Sequence, residues 1–425
     1  MKKILILLVH AVCVTSAYAQ PRLDPKEIMR IENVLASNDM RGRRAGTPDI
    51  DRAAGFISDE FKKAGLKPLA GNSFLQTFTM VRPKMTGIKA EIDDKEIDVS
   101  QVVVITTEKE VKVNEKSGFE METIGAADNF AQKARALARS GKNLVVWVDT
   151  AFSKNFPRLA TLKQMGFRMN NHVVFILGSY KPKSFTIKAE HTIEEVPFAN
   201  VVGILPGKSR KEEYVIFSGH YDHLGVARQA ENGDSIYNGA NDDAAGTTAV
   251  IALADYFKKL GNNERTLVFA AFTAEEIGGF GSQYFSKQFD PAKVAAMFNI
   301  EMIGTESQWG KNSAYITGFD KTDMGAILQK NLEGTSFRFH PDPYTKENLF
   351  YRSDNATLAR LGVPAHTIST AKMENEPNYH KLSDEVGTLD MQNMTAIIEA
   401  IATSARTVIS GQDTPSRVKP ESLNR

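Results

Sequence analysis

Residues 214–223 read Tyr-Val-Ile-Phe-Ser-Gly-His-Tyr-Asp-His, a short apolar run that ends in two histidines and an aspartate. The apolar part, from Tyr214 to Ser218, predicts a β-strand. The polar residues that follow would lie at the carboxyl end of this strand. In open parallel sheets, ligands bind beyond the carboxyl ends of the strands. The stretch therefore predicts both a sheet and the edge of that sheet where a site is to be sought.

Apolar strands and longer helical segments alternate from Asn200 onward. Further strands are predicted at Thr266 to Phe272, Ala296 to Ile300 and Val363 to Ser369, and the longest helices at Asp243 to Leu260 and Met391 to Ile409. Strands that alternate with helices are typical of the α/β class. We therefore expect a doubly wound, mostly parallel sheet with helices on both faces.

The remaining segments differ from this pattern and suggest a division into domains. Residues 20–80 show helical apolar periodicity and are assigned to the N-terminal part of the main domain, which continues at 196–410. Residues 81–195 contain short β-rich runs between charged segments, which predicts a small inserted β-rich domain. Residues 411–425 are polar without an apolar period, which predicts a flexible tail.

Residues 1–19 have the pattern of a secretory signal peptide. Lys2 and Lys3 precede an apolar run, and Ala17-Tyr18-Ala19 supplies the small residues that signal peptidase reads. This pattern predicts a secreted or periplasmic protein. Cys13, the only cysteine of the chain, lies inside the segment, so the mature chain would contain no disulfide.

The charge balance and the remaining hydropathy pattern exclude several classes of partner. The chain has 52 basic and 51 acidic side chains, so no basic excess points to nucleic acid or to anionic lipid. Beyond the first residues, no apolar run approaches the length of a membrane span, and no stable membrane insertion is expected. At 42% hydrophobic residues the chain can bury large cores.

Polar residues that suit metal binding or acid–base chemistry follow the predicted strands or begin the long helix. They are His220, Asp222, Asp242, Asp243, Glu275, Glu276, Glu301, Tyr379 and His380. Zinc accepts both imidazole nitrogen and carboxylate oxygen. Glu301 stands in an apolar stretch, where a carboxylate is costly to bury without a partner. The set as a whole predicts a metal site at the carboxyl edge of the sheet.

In their order along the chain, these motifs resemble the co-catalytic di-zinc aminopeptidases of the bacterial leucine aminopeptidase type, in peptidase clan MH. The matching pieces are Gly-His-Tyr-Asp-His at 219–223, Gly-Ala-Asn-Asp-Asp-Ala-Ala-Gly at 239–246, Ala-Glu-Glu-Ile-Gly-Gly-Phe-Gly-Ser at 274–282, Asn-Ile-Glu-Met-Ile-Gly at 299–304, Arg-Ser-Asp-Asn at 352–355 and Tyr-His at 379–380. The resemblance implies the zinc-exopeptidase fold, zinc as cofactor and peptides as substrates. Many relatives carry a protease-associated domain where residues 81–195 lie, and this segment resembles that domain loosely.

The resemblance assigns five metal ligands. It implies two Zn²⁺ ions per chain, with His220 on one of them and Asp242 bridging both. Glu276 would be a terminal ligand of one ion. Glu301 and His380 would complete the site, each on one metal.

Four further residues receive roles from the same resemblance. Glu275 would be the general base for the metal-bridging water, and Tyr379 matches a tyrosine that bonds the oxyanion in some relatives. Asp222 would hydrogen-bond the second ring nitrogen of the first histidine ligand. Asp243 would follow the bridging aspartate across a cis peptide.

Two positions depart from the family pattern, and alternatives to an aminopeptidase stay open. Glu301 stands where many relatives have Asp, which leaves the metal spacing open, and Asn355 stands where relatives often have His. A glutaminyl cyclase or a glutamate-carboxypeptidase-like exopeptidase would use the same fold. Cyclases tend to have another residue in place of Asp243. Non-enzymatic receptor relatives have lost ligands that this chain retains. The favoured prediction is a secreted aminopeptidase.

Overall fold

The structure is a computed structural model, and it describes residues 21–163, 165–178, 182–231 and 233–419. The predicted signal peptide at 1–19 lies outside the described residues. Within the ranges that are described, no helix combines the length and the apolar character needed to cross a membrane.

Strands and helices alternate through most of the chain. The strands are β1 (Lys67–Pro68), β2 (Leu75–Ile92), β3 (Lys95–Glu96), β4 (Val102–Ile105), β5 (Glu110–Asn114), β6 (Glu120–Ile124), β7 (Leu144–Val148), β8 (Val173–Leu177), β9 (Phe185–Leu205), β10 (Arg210–His220), β11 (Gly225–Glu231), β12 (Asp234–Tyr237), β13 (Arg265–Phe272), β14 (Val294–Ile300), β15 (Ser313–Ile316), β16 (Arg338–Pro341) and β17 (Ala365–Ser369). The α-helices are α1 (Pro25–Leu35), α2 (Pro48–Lys63), α3 (Phe130–Ala138), α4 (Ala245–Leu260), α5 (Phe280–Ser286), α6 (Met324–Asn331), α7 (Asn355–Ala359), α8 (Met391–Ser404) and α9 (Arg406–Ile409). Short 3-10 helices lie at Asn38–Arg43, Val99–Gln101, Thr150–Phe152, Phe156–Lys163, Pro291–Lys293, Phe319–Lys321, Thr345–Glu347, Leu349–Tyr351 and Val386–Thr388, and a π-helical turn lies at Ala240–Ala244.

One large mixed sheet organises the molecule. Its strands run in the order β16-β15-β17-β14-β10-β13-β9-β2-β3, and β1 and β5 also pair with β9. The neighbours β17, β14, β10 and β13 are parallel to one another. Outside them, β15 pairs with β17 and β9 pairs with β13 in antiparallel fashion. The α/β class is confirmed, and the predicted parallel arrangement describes the centre of the sheet only.

The central strands are buried on both faces, which explains their unbroken apolar sequences. Along β10, Phe217 packs into one core while Ile216 packs into another, and Phe269 and Val268 of β13 divide in the same way. Helices α1, α2, α4 and α8 contribute to the first core, and α5 and α7 contribute to the second. Helices therefore contribute to the cores on both sides of the central strands, and the doubly wound arrangement itself stays a prediction.

The middle of the chain builds a second sheet with its own cores. Strands β4, β8, β7 and β6 form it in that order, and they include the apolar runs predicted as strands. Two hydrophobic clusters in this region are built from residues between 88 and 189. The predicted limits of the inserted domain, 81 and 195, fall inside β2 and β9, where Val81 and Glu195 are paired. The inserted domain itself stays a prediction.

The segment after Gly411 differs from the predicted flexible tail. Val418 is buried and its N–H donates to Gly362 O at 3.1 Å. Farther back, Arg265 Nη1 donates to Asp413 O at 2.8 Å. A few hydrogen bonds that involve backbone atoms hold this segment against the domain. Because such bonds do not require apolar side chains, the sequence shows no apolar periodicity here. The residues after 419 lie outside the described part.

Candidate metal centre

The predicted site residues come from the carboxyl ends of three parallel strands. His220 ends β10, Glu275 and Glu276 follow β13, and Glu301 follows β14. These strands are direct neighbours, so the residues after them meet at one edge of the sheet. Asp242 reaches the same edge from the π-helical turn before α4.

Asp242 lies between two imidazoles. Its Oδ1 is 3.2 Å from Nε2 of His220, and its Oδ2 is 3.3 Å from Nε2 of His380. The same nitrogen of His380 is 3.1 Å from Oε2 of Glu276. Hydrogen bonds with the two carboxylates raise the pKa of His380 to about 10. The structure thus brings together four of the five predicted ligands, with Asp242 in the central position.

Glu301, the fifth predicted ligand, directly follows β14 and so lies at the same edge of the sheet. Desolvation of its carboxyl raises the pKa of Glu301 to about 7, and its charge interacts with those of His220 and Asp242. Its Oε2 accepts a hydrogen bond from the hydroxyl of Ser353. Ser353 Oγ in turn accepts a bond of 2.7 Å from Nδ2 of Asn299. The longer Glu side chain is therefore oriented by partners on its own strand and on the loop before α7.

Glu275 and Tyr379 lie beside the ligand set. Desolvation raises the pKa of the Glu275 carboxyl well above its ordinary value, and its neighbour Glu301 adds to the shift. The ring of Tyr379 stacks on that of His380, with centroids 4.0 Å apart and 19° between the planes. Burial raises the pKa of the Tyr379 phenol, so its hydroxyl keeps its proton.

Asp222 makes different contacts from those that the resemblance implies. The backbone carbonyl of Asp222, rather than its carboxylate, lies within hydrogen-bonding distance of His220 Nδ1, at 3.1 Å. The nearer carboxylate oxygen is 3.8 Å from that nitrogen. This carboxylate instead accepts the N–H groups of Glu275 at 3.0 Å and Glu276 at 3.4 Å. Two backbone donors outcompete the ring, and Asp222 orients the loop that carries both glutamates.

Asp243 ties three backbone segments together. Its carboxylate accepts the N–H groups of His220 at 3.1 Å, Gly246 at 3.0 Å and Met302 at 3.0 Å. The peptide bond between Asp242 and Asp243 is cis, as the resemblance implies. Asp243 thus fixes the end of β10, the start of α4 and the segment after β14 relative to one another.

Sequence reasoning gave His223 no role, and the structure places it inside the site. Its Nδ1 is 2.7 Å from Oε1 of Glu276 and 3.9 Å from Oδ2 of Asp242. Potential ligand atoms of His223, Asp242 and Glu276 lie within 4.8 Å of one another. The signal was present, because His223 closes the same five-residue motif that contains His220.

Two further buried aspartates support the site, and sequence analysis gave neither of them a role. Asp384 accepts the N–H groups of Asn241 at 2.8 Å and Asp242 at 3.0 Å, and so supports the turn that carries the central aspartate. Asp354 is buried next to Ser353, and neither of its carboxylate oxygens has a hydrogen-bond partner within the described residues. Asp354 lies within the motif Arg-Ser-Asp-Asn at 352–355 and Asp384 follows the motif Tyr-His at 379–380, but only the fold brings them to this edge of the sheet.

The arrangement fits zinc. Imidazole nitrogens and carboxylate oxygens face one another across short distances, which is the donor set that zinc accepts. The buried Nε2 atom of His223 has no hydrogen-bond partner in the described part of the chain. Buried polar atoms without partners are uncommon and call for an explanation such as a missing ion.

A small cavity opens beside the site. It has a volume of about 50 Å³, and Glu301 and Tyr379 belong to its wall. The apolar side chains that line it include Met302, Tyr315 and Leu349.

Residues 200–405 match the model of peptidase family M28. The matched segment runs from β9 to the end of α8 and contains every predicted metal and catalytic residue. The family resemblance drawn from the motifs is thereby confirmed.

Relatives of the M28 segment include peptidases of fungi. The chain is 35% identical over 117 residues to a probable zinc metalloprotease of Pyrenophora teres f. teres (strain 0-1), which covers 27% of this chain and 24% of that protein. It is 26% identical over 223 residues to leucine aminopeptidase 1 of Trichoderma harzianum. The aligned region covers 49% of this chain and 54% of that protein. The chain thus spans between about a quarter and about half of the length of these relatives.

Among solved structures, the chain is similar to BSAP, a zinc aminopeptidase from Bacillus subtilis. The TM-score is 0.55 at 16% identity, over 93% of this chain and 98% of that chain. At this identity the likeness shows a shared fold. The structural likeness extends over more of the chain than the match to the M28 family model does.

Proposed function

We propose that this chain is a secreted, zinc-dependent aminopeptidase that removes single residues from the N-termini of peptides. The observation that carries the proposal is the position of Asp242, whose two carboxylate oxygens face His220 and His380 at 3.2 and 3.3 Å. A carboxylate between two imidazoles is suited to bridge two ions. The relatives named as a leucine aminopeptidase and a zinc metalloprotease support the reaction class.

Two Zn²⁺ ions would share Asp242. His220 and Glu301 would hold one of them, because the charge of Glu301 acts on His220 and Asp242. Glu276 and His380 would hold the other, because these two side chains face each other at 3.1 Å. Five protein ligands exceed what one tetrahedral zinc needs. The chemistry that bound zinc supplies is Lewis acidity, which makes water a better nucleophile and a peptide carbonyl a better electrophile.

Glu275 would move the proton. As the carboxylate outside the proposed ligand set, it takes a proton from the attacking water and passes it to the amine of the leaving peptide. The desolvation that raises its pKa makes its carboxylate a stronger base. The Asp222 carboxylate accepts a hydrogen bond from the Glu275 N–H and thereby fixes the backbone position from which the Glu275 side chain extends.

Tyr379 and the cavity would handle the substrate. The Tyr379 hydroxyl, protonated and close to the ligands, donates a hydrogen bond to the oxyanion that forms during hydrolysis. The cavity beside Glu301 would take the side chain of the N-terminal residue. Met302, Tyr315 and Leu349 form the apolar part of its wall, beside polar residues such as Thr317, Arg352 and Thr367, and this apolar part would favour an apolar side chain.

Secretion is proposed on the signal-peptide pattern at 1–19, and peptides outside the cytoplasm would then be the substrates. The mature chain would begin at Gln20.

The first test combines metal analysis with product analysis. The purified chain, dialysed and loaded with zinc, should retain two ions and release single N-terminal residues from a peptide mixture, apolar ones fastest. N-acetylated peptides are the matched control and should stay intact, because the proposed site holds a free amine near the metal carboxylates. Mass spectrometry reads both sets of products.

Two outcomes would contradict the proposal. Release of residues from the acetylated peptides would show that no free amine is needed. One tight zinc with full activity, and only loss of ammonia from peptides with N-terminal glutamine, would indicate a glutaminyl cyclase instead.

A further inference from the structure

Arg43 is a fully buried arginine far from the metal-site motifs in sequence. It ends the 3-10 helix Asn38–Arg43, between α1 and α2, and none of its surface is exposed. A charged side chain is almost never buried in this way without several partners. The partners of Arg43 therefore indicate why it is there.

The guanidinium of Arg43 binds the backbone of both loops that carry the central ligands. Its Nε donates to Tyr221 O at 2.8 Å, between His220 and Asp222. Its Nη1 donates to Asn238 O at 2.6 Å. Its Nη2 donates to Gly239 O at 2.9 Å, at the start of the turn that leads to Asp242. The planar fork thus spans the gap between the two loops.

The backbone of the same residue adds a further link. The N–H of His223 donates to the carbonyl of Arg43 at 3.2 Å. The preceding Gly42 has a φ of 68°, and a Cβ there would lie 2.4 Å from Gly225 O and 2.6 Å from Tyr237 O. No other residue fits at position 42 without moving one of these chains. The backbone at Gly42 and Arg43 therefore packs directly against the segments that flank the site.

Carboxyl groups lie on both sides of the buried guanidinium. Glu32 of α1 is fully buried and lies near enough to Arg43 for the two groups to interact. The charges of Asp384, Asp222 and Asp242 act on Arg43 as well. Asp384 holds the N–H of Asp242. The guanidinium is thus the cation around which the carboxylates behind the metal ligands are arranged.

We propose that Arg43 is a positioning residue for the metal centre: its guanidinium holds the loop of His220 and the turn of Asp242 at the separation that zinc binding requires. This inference rests on the proposed zinc site. It assigns the N-terminal part of the chain, which lies outside the M28 segment, a direct share in metal affinity.

A second buried arginine supplies a matched control. Arg265 is also buried and also donates to backbone carbonyls, those of Val408 at 2.7 Å and Asp413 at 2.8 Å. It starts β13, whereas the glutamates of the site follow the other end of that strand. Loss of its fork should cost stability without touching the ligand loops.

The test compares Arg43→Lys with Arg265→Lys. Lysine keeps the charge but cannot reproduce the planar fork of donors. Zinc affinity is measured by competition with a chelator, on apo proteins whose circular dichroism shows them to be folded. Arg43→Lys should bind zinc about 10- to 100-fold more weakly than the wild type, the usual effect of losing a group that orients metal ligands. Arg265→Lys should bind zinc as the wild type does, even if it unfolds at a lower temperature.

The outcomes separate the inference from the function on which it rests. A wild-type chain that does not bind zinc would overturn the proposed function. Wild-type zinc binding with unchanged affinity in Arg43→Lys would overturn the role of Arg43 alone. Equal losses in the two variants would mean that the effect is one of general stability, and would also overturn it.

A measurement on the wild type covers the case in which Arg43→Lys does not fold. Hydrogen exchange is followed with and without zinc. The peptide that contains residues 42–44 should gain protection together with 220–223 and 238–243, because Arg43 bonds them into one unit. The peptide around Arg265 should not change. Zinc-dependent protection of the two ligand segments without any at 42–44 would contradict the inference.

Discussion

Two adjacent glutamates show how local contacts separate residues of the same type. The backbone N–H groups of Glu275 and Glu276 bind the same carboxylate, that of Asp222. The Glu276 side chain then turns to the imidazoles of His223 and His380. Glu275 is left as a desolvated carboxyl with a raised pKa. The sequence predicts that two glutamates lie at the site. Their contacts in the fold determine the direction in which each side chain points.

Substituting each glutamate by glutamine should separate their roles. Glu275→Gln should keep both zinc ions and lose about 10²- to 10⁴-fold in kcat, because an amide has no basic site for the proton of the water. Glu276→Gln should lose zinc as well as activity. Zinc content and kcat of the two variants measure this. Loss of zinc in Glu275→Gln with zinc retained in Glu276→Gln would reverse the assignment.

The residues that sequence analysis missed share one property: their roles depend on distant segments. His223 faces Glu276, and Asp384 binds the backbone of Asn241 and Asp242. Nothing in their local sequence shows these contacts. By contrast, His220 ends the buried strand β10 and Glu301 directly follows β14, and that position alone predicted the edge of the sheet where they meet.

At the scale of elements, the start of α4 is fitted tightly to the end of β14. Gly246 lies in the first turn of α4, and a Cβ there would lie 2.1 Å from Ile300 O and 2.4 Å from Oδ2 of Asp243. No flexible side chain can move aside to make room, because the nearest atom belongs to the backbone. The helix that follows Asp242 can approach the sheet this closely only with glycine at 246.

Gly246→Ala should therefore destabilise the fold by about 1–3 kcal/mol or more, since 1–3 kcal/mol is the usual cost of overpacking a core. Gly55→Ala is the matched control. Gly55 lies inside α2 with nothing within 4 Å of a built Cβ, so alanine should stabilise the chain there by about 0.5–1 kcal/mol. Urea unfolding of both variants measures the difference. Equal stabilities would show that α4 can move away from β14.

Strands that are buried on both faces were predictable, and the long strands with an exposed face were not. The runs predicted at Thr266 to Phe272 and Ala296 to Ile300 correspond to β13 and β14. The long strands β2 and β9 alternate buried and exposed residues and carry charges on their outer face, so their full length escaped detection. The predicted helix Met391 to Ile409 is two helices that meet at Ala405, where neither glycine nor proline marks the break.

For the whole molecule, Glu32 links stability to pH. It is fully buried, bonded by the hydroxyl of Thr248 at 2.7 Å, and its Oε1 has no partner among the described residues. Burial raises the pKa of Glu32 from 4.5 to about 8, although Arg43 lowers it. Between these values the folded chain holds a proton that the unfolded chain has lost. The contribution of Glu32 to stability therefore falls as pH rises through this window.

Glu32→Gln should remove this dependence, because glutamine stays neutral at every pH. Its free energy of unfolding, relative to the wild type, should rise between about pH 5 and about pH 9. Urea unfolding of the metal-free proteins across this range measures it. A difference between the two proteins that does not change with pH would show that Glu32 is ionised in the folded state throughout.

The pairing of Val81 with Glu195 has a consequence for the segment of the chain that connects these two residues. Partners in an antiparallel ladder are neighbours, so the long stretch of polypeptide between these two residues leaves and returns at one spot. A two-residue hairpin could join strands at such a point, and so could a stretch of any length. A connection of a different length at this place would leave the strands on which the metal edge depends in the same direction.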